Sequence, residues 1–301
     1  MKGNVSMGTE ISVASFTLEL NEVTQDIASP QRWAGASPLR VISVTSGKGG
    51  VGKSNVVVNV GLALAQRGLK VLLIDADLGL GNLDILLGLT PKFTIQDVLS
   101  LRLNLADVIV EGPGGLKILP ASSGIPELAM LDEFQKLFLL NEMDHFTADV
   151  DVVLIDTGAG ISQNVLFFNM GAQERILVVN NQPPAIADAY ALIKVMVSQH
   201  GEKSFKVLVN GLTHDREAEL VYHTLLRVTE RFLGQEIALD YLGVIPYDEA
   251  VPKAVMRQQP VLALYPQAPA SRSFRIIAQT LWESPPRGID GTIKFFWRRL
   301  L

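Results

Sequence analysis

The sequence predicts an α/β protein with a doubly wound, mostly parallel sheet flanked by helices on both faces. Three observations support this fold class. Short apolar runs, the first at 41–45, alternate with helical stretches such as 186–198 and 216–232, which is the βαβ pattern of a parallel sheet. A glycine-rich loop stands between the first apolar run and the first helical stretch. The 301 residues are 48% hydrophobic and 19% charged, which suits one large domain with a buried sheet.

The first apolar run, the loop and the following helix form a phosphate-binding loop (P-loop). The predicted strand is 41–45 and the predicted helix is 56–66. The loop residues between them are Gly47, Lys48, Gly49, Gly50, Val51, Gly52, Lys53 and Ser54. Glycines let successive backbone N–H groups turn toward phosphate oxygens, and the helix adds its positive N-terminal end. We expect Lys53 to reach the β- and γ-phosphates and Ser54 to hold Mg²⁺, so the predicted fold is that of a P-loop NTPase.

The second apolar strand, 71–74, ends in two aspartates. Asp75 and Asp77 stand where open α/β sheets bind their ligands, at the carboxyl end of a parallel strand. Asp77 is the candidate for orienting or activating the attacking water. Asp75 is expected to support the metal or the loop.

A third apolar strand, 152–155, ends in Asp156, which is the Walker B arrangement. This carboxylate is expected to hold Mg²⁺ through water, so Ser54, Asp75 and Asp156 are the predicted metal residues. The glycines at 158 and 160 permit a backbone switch that could sense the γ-phosphate. A single aspartate after a strand is usually a cap or turn residue, but two in chain order after a P-loop favour a nucleotide site.

Composition excludes several classes of function. The chain has no cysteine, so it cannot hold an iron–sulfur cluster through its own thiolates. A net charge of −5 argues against broad nucleic-acid binding, and no direct nucleic-acid partner is expected. No stretch of about 18 continuous apolar residues and no secretory signal pattern is visible, which predicts a cytoplasmic protein.

The two ends of the chain differ from its middle. Residues 1–39 are rich in Ser, Thr, Asn and Gly and are expected to be a flexible N-terminal extension. Residues 40–284 form the predicted ATPase domain, and a proline-rich break then precedes the tail, 285–301.

The tail has two chemically different faces. At helical spacing, one face of 289–301 is apolar and the other is basic, the apolar residues being Ile289, Ile293, Phe296, Trp297, Leu300 and Leu301. This pattern predicts a helix that targets an anionic membrane at its inner face, and a helix docked on the protein's own core is the alternative.

Residues 48–54 match the pattern KGGxxGK[ST] and resemble the deviant-Walker ATPases of the MinD/ParA/Mrp class. The resemblance implies an ATP-dependent homodimer in which Lys48 crosses the interface and touches the partner's nucleotide, so Lys48 joins Asp77 as a catalytic candidate. It also implies that Asn210, Pro246 and Asp248 hold the adenine. From the residues alone, a helix cap at Asn210 and a turn at Pro246 remain open.

Within that class, the segments 75–89, 119–124 and 155–162 resemble the flagellar-number ATPases of the FlhG (FleN) type. The resemblance implies slow, Mg²⁺-dependent ATP hydrolysis and control of flagellar number or placement. Implied partners are an FlhF-type GTPase, flagellar C-ring proteins and, in some members of the family, a flagellar transcription regulator. The nearest match to the FlhF-stimulating motif of the family, at 26–32, lacks its Gln and Leu.

Two other functions are compatible with this chemistry. A MinD-type division-site regulator shares the site and the tail, but it typically has Arg where Gly81 stands and Ser-Pro where Thr157 and Gly158 stand. A ParA-type DNA-partitioning ATPase would bind DNA, and the predicted membrane tail argues against it.

Overall fold

The computed structural model describes residues 39–122, 130–146 and 149–284. Its eight strands are β1 (Arg40–Ser46), β2 (Val71–Ala76), β3 (Val110–Glu111), β4 (Lys117–Leu119), β5 (Val152–Ala159), β6 (Glu174–Val179), β7 (Ser204–Leu212) and β8 (Ala238–Pro246). They form one sheet in the order β3-β4-β2-β5-β1-β6-β7-β8. Only the β3–β4 pair is antiparallel. The predicted fold class is confirmed, and the predicted strands are all present in slightly longer form.

Helices cover both faces of the sheet. They are α1 (Lys53–Gln66), α2 (Leu83–Leu86), α3 (Ile95–Leu99), α4 (Leu105–Val108), α5 (Glu133–Phe146), α6 (Gln163–Gly171), α7 (Pro183–His200), α8 (Asp215–Leu233), α9 (Ala250–Val255), α10 (Val261–Leu264) and α11 (Pro269–Glu283). No helix in the described ranges is both long and apolar enough to cross a bilayer. The N-terminal extension and the tail predicted from the sequence lie outside these ranges, apart from residue 39.

Alternate residues of the central strands enter two separate cores. Leu73 and Leu154 belong to the core under α1, whereas Leu72 and Val153 belong to the core under α3, α4 and α5. The α1 backbone lies so close to the sheet that a Cβ on Gly61 would be 2.7 Å from the Leu73 side chain. This close packing fixes the P-loop, at the start of α1, over the carboxyl ends of β1 and β5.

Arg40, the first residue of the central strand β1, lies at the amino ends of the strands, opposite the P-loop. Its guanidinium donates to Glu174 Oε1 at 2.6 and 2.9 Å, and both side chains are buried. It also donates to the backbone oxygens of Trp282 at 3.0 Å and Ser284 at 3.2 Å, at the end of α11. The two ends of the described domain therefore meet at one buried ion pair.

Candidate functional site

The P-loop connects the end of β1 to the start of α1 and needs glycine for two different reasons. Gly50 and Gly52 have φ values of 77° and 97°, in the left-handed region that L side chains rarely adopt. Gly47 is required by proximity, since a Cβ there would lie 2.0 Å from the backbone carbonyl carbon of Asp188 in α7. Ser46 steadies the loop by donating its hydroxyl to the Lys48 carbonyl at 2.7 Å.

Five of the predicted side chains come together next to this loop: Lys53, Ser54, Asp75, Asp77 and Asp156. Burial lowers the pKa of Lys53, and the nearby charges of Asp156 and Asp77 act in the opposite direction. Burial also raises the pKa of Asp156, against a hydrogen bond from Ser54 and the charge of Lys53. The sheet explains the proximity, because Asp75 and Asp156 are register partners at the carboxyl ends of β2 and β5.

The residues around Asp156 fit a magnesium ion. Its Oδ1 is buried and has no hydrogen-bond partner within the described part of the chain. A buried carboxylate oxygen without a partner normally requires water or an ion. No group of three or more His, Cys, Asp or Glu side chains suited to a metal occurs among the described residues. Mg²⁺ does not need one, since it usually takes one or two protein ligands and completes its shell with waters and nucleotide phosphates.

Asp75 makes contacts of a different kind. Its Oδ1 accepts from the Asp77 backbone N–H at 3.2 Å, and its Oδ2 accepts from the N–H groups of Asn82 at 2.8 Å and Leu83 at 3.0 Å. Burial is the main cause that raises the pKa of Asp75, followed by the charge of Asp156. Of the two roles left open by the sequence, support of the metal or of the loop, these contacts favour the loop.

The glycine segment after Asp156 lies between Asp77 and the P-loop. A Cβ on Gly158 would be 3.6 Å from the Asp77 carboxylate. Gly160 has a φ of 85° and donates its N–H to the Ser46 carbonyl at 2.9 Å. The segment thus contacts the end of β1 on one side and lies next to Asp77 on the other, and its role as a γ-phosphate sensor remains a prediction.

Two of the predicted adenine residues hydrogen-bond within the protein. Asn210 donates its Nδ2 to the Val51 carbonyl at 2.7 Å, which ties β7 to the P-loop. The Asp248 oxygens accept from the backbone N–H groups of Ala250 at 2.8 Å and Ala270 at 3.0 Å, at the starts of α9 and α11. Pro246 is the last residue of β8. Contact with a base remains a prediction for all three.

Lys48 lies at the surface rather than in the P-loop cradle. Its Nζ donates to Gln182 Oε1 at 2.8 Å, at the start of α7. Sequence reasoning missed Gln182, because the two residues are 134 positions apart and no local pattern links them.

The fold and the site together define a P-loop ATPase. The strand, glycine loop and helix have the arrangement of a phosphate-binding loop, and Lys53, Ser54 and Asp156 lie close together beside it, where they would hold nucleotide phosphates and Mg²⁺. The chain belongs to the CobQ/CobB/MinD/ParA nucleotide-binding domain family, whose model matches residues 42–261. It is thus an ATPase of the MinD/ParA class that uses ATP and Mg²⁺.

Flagellar proteins stand among its relatives. The chain is 46% identical over 265 residues to antiactivator FleN of Pseudomonas aeruginosa, covering 88% of this chain and 94% of that protein. It is 31% identical over 270 residues to flagellum site-determining protein YlxH of Helicobacter pylori, covering 87% and 90%. Of the solved structures, cell division ATPase MinD of Pyrococcus furiosus superposes with a TM-score of 0.69 at 26% identity, covering 81% of this chain and 98% of that one.

Proposed function

We propose that this protein is an ATP-dependent, membrane-associated dimeric switch ATPase that regulates flagellar number or placement. The observation that carries the flagellar assignment is the similarity to antiactivator FleN, which extends over nearly the whole of both chains. The packing at position 81 adds to it. A Cβ there would lie 2.4 Å from the Ala121 Cβ, so the arginine typical of division-site relatives has no room in this loop conformation.

The chemistry assigned to the site is positioning and electrostatics without a covalent intermediate. Lys53 would bind the β- and γ-phosphates, and Ser54 with Asp156 would hold Mg²⁺, which neutralises phosphate charge when bound. Asp77 would orient the attacking water, because its carboxylate stands next to both Lys53 and Gly158. Slow turnover is expected from the resemblance to the deviant-Walker ATPases.

Dimerisation would join the nucleotide faces of two copies. Lys48 is at the surface of this face, where its contact with Gln182 is weak enough to exchange for a phosphate in the partner. Two large apolar side chains also lie exposed near the site, Leu80 at 70% and Ile161 at 51%. Apolar residues exposed together in this way are suited to burial against a second copy.

Replacing Lys48 with alanine should leave ATP binding in place but prevent the ATP-induced dimer. The cradle and Lys53 are intact in this variant, and only the contact across the interface is lost. Light scattering coupled to gel filtration, with and without ATP, measures the outcome. Lys70→Ala is the matched control. Lys70 is an exposed lysine paired with Asp149, and it directly precedes β2, at the amino ends of the strands. A Lys48→Ala protein that dimerises normally would contradict the proposed contact.

Replacing Asp77 with alanine should separate nucleotide binding from hydrolysis. ATP should still bind and form the dimer, while the hydrolysis rate should fall by about 100-fold or more, the usual cost of losing a proton acceptor. Phosphate release from the purified protein gives the rate. Asp77→Asn, which keeps the shape but not the charge, should fall by a similar factor. Hydrolysis at the normal rate in both variants would exclude Asp77 from the reaction.

The partners follow from the relatives and from the tail. The name antiactivator supports a flagellar transcription regulator as one partner, and the flagellar resemblance adds an FlhF-type GTPase and C-ring proteins. The tail, 289–301, would hold the protein peripherally on the inner face of the cell membrane. Counting flagella and minicells in a deletion strain tests the function as a whole. Altered flagellar number supports it, whereas minicells would favour the division-site alternative.

A further inference from the structure

We propose that Asp75 is a positioning residue for ATP hydrolysis, which closes the loop 77–83 and thereby places Asp77 beside Lys53. This inference rests on the proposed role of Asp77 and assigns the loop, rather than the metal, as the direct contact of Asp75.

The hydrogen bonds show how one side chain can close this loop. Asp75 is 1% exposed, and it accepts three backbone N–H groups. One donor, that of Asp77, lies at the start of the loop, whereas those of Asn82 and Leu83 lie at its end. A buried carboxylate that is satisfied by both ends of a segment holds those ends together, because releasing either end leaves a buried acceptor without its partner.

The packing at Gly81 is a second, independent observation. A Cβ on this residue would be 2.8 Å from Asp75 Oδ2 and 2.4 Å from the Ala121 Cβ. The loop is therefore pressed against both the carboxylate and the segment that follows β4, with no space for a side chain. Glycine is needed at 81 because of this close approach.

The loop 77–83 carries Asp77, which is proposed to act in hydrolysis, and Leu80, which is proposed to contact a second copy. Its first residue, Asp77, acts electrostatically on Lys53. Its turn, closed by the Leu80 N–H donating to the Asp77 carbonyl at 3.0 Å, leaves the Leu80 side chain 70% exposed. Loosening the loop would displace Asp77 without changing the P-loop. A misplacement of about 1 Å is enough to slow a reaction by about 100-fold.

Asp75→Asn tests the proposal, because a positioning residue should affect kcat and not ATP affinity. The amide nitrogen cannot accept a hydrogen bond, so at least one loop contact is lost. We expect kcat to fall by about 10- to 100-fold, while ATP affinity stays close to that of the unchanged protein. Asp151→Asn is the matched control, because Asp151 also accepts a hydrogen bond from a backbone N–H, that of Lys70 at 2.8 Å. This contact lies at the amino ends of the strands, opposite the P-loop. Its kcat should not change.

Gly81→Ala tests the same contact from the side of the loop and keeps the carboxylate. It should lower kcat as Asp75→Asn does. The kcat of the double variant should be only slightly lower than that of either single variant, because both changes disrupt the same contact. If Asp75→Asn does not fold, Gly81→Ala alone decides the question. Unchanged kcat in Gly81→Ala, or an ATP affinity in Asp75→Asn that falls as much as kcat, would overturn the proposal in favour of a direct metal or phosphate role.

A spin label on the loop provides a readout that does not depend on hydrolysis. The chain has no cysteine, so Leu80→Cys gives a single labelling site. Without nucleotide, the label should move faster in the Asp75→Asn and Gly81→Ala backgrounds than in the Asp151→Asn background. Equal mobility in all three would refute the closed loop. Failure of the Asp77 assignment would instead appear as normal hydrolysis in Asp77→Ala, with the label result unaffected.

Discussion

Lys53→Ala is expected to lower ATP affinity by about 100-fold or more and to abolish the ATP-induced dimer. Removing one partner of a buried, hydrogen-bonded charge contact typically costs about 2–5 kcal/mol, and the β- and γ-phosphates would lose theirs. The variant also removes the charge that opposes the effect of burial on Asp156, so the pKa of that carboxyl should rise further. Titration calorimetry measures the affinity, and light scattering with ATP measures the dimer.

The Lys53 result needs a control for folding. A melting curve of the nucleotide-free variant should show that the domain remains folded. Lys253→Ala, which removes an exposed lysine paired with Glu249 on α9, should bind ATP normally. Normal ATP-dependent dimerisation of Lys53→Ala would refute the P-loop assignment itself.

Truncation after Pro286 is expected to abolish ATP-dependent binding to anionic liposomes while nucleotide binding and thermal stability remain. Within residues 39–284, the last buried side chain is Leu281, at 1% exposure, so the predicted break at 285 follows the end of this core. Each large apolar side chain of the tail contributes up to about 1.5–3 kcal/mol. Each basic residue adds about 1 kcal/mol, and ordering costs about 1–2 kcal/mol per residue. These contributions nearly cancel for one tail, so two tails in a dimer should bind far better.

Two milder sets of changes separate the faces of the tail. Phe296→Glu with Trp297→Glu places charge on the apolar face and should abolish flotation with liposomes. Arg298→Glu with Arg299→Glu should weaken binding mainly at low salt, where lipid electrostatics are strongest. If the tail instead docks on the core, truncation should lower the melting temperature and leave liposome binding unchanged.

The sequence predicted the parts of the fold that have local patterns. The P-loop spacing correctly placed a strand before the loop and a helix after it, observed as β1 and α1. It did not indicate β3, β4 or β6. The first two have only two and three residues, too few for a periodic signal, and β4 is recognisable as a strand because it pairs with β2 and β3.

Long-range contacts within the site were also beyond the sequence. Asn210 donates to Val51, 159 positions earlier, and Gly81 packs against Ala121. The sequence indicated that Asp75 stands at the end of a strand. It did not indicate what its carboxylate oxygens contact, because that depends on how the following loop folds back. Residue type and spacing therefore indicated which side chains would gather at the carboxyl ends of the strands, whereas tertiary packing decided what each carboxylate contacts.

The buried pair of Arg40 and Glu174 determines how a mechanical load would pass through the domain. Because Arg40 also holds the carbonyls of Trp282 and Ser284, the first strand and the end of the last helix are joined directly. If a protein binds the N-terminal extension while a bilayer binds the tail, tension between them would act on this junction. The force would bypass the carboxyl ends of the strands, so the nucleotide site would keep its geometry while the chain is under tension.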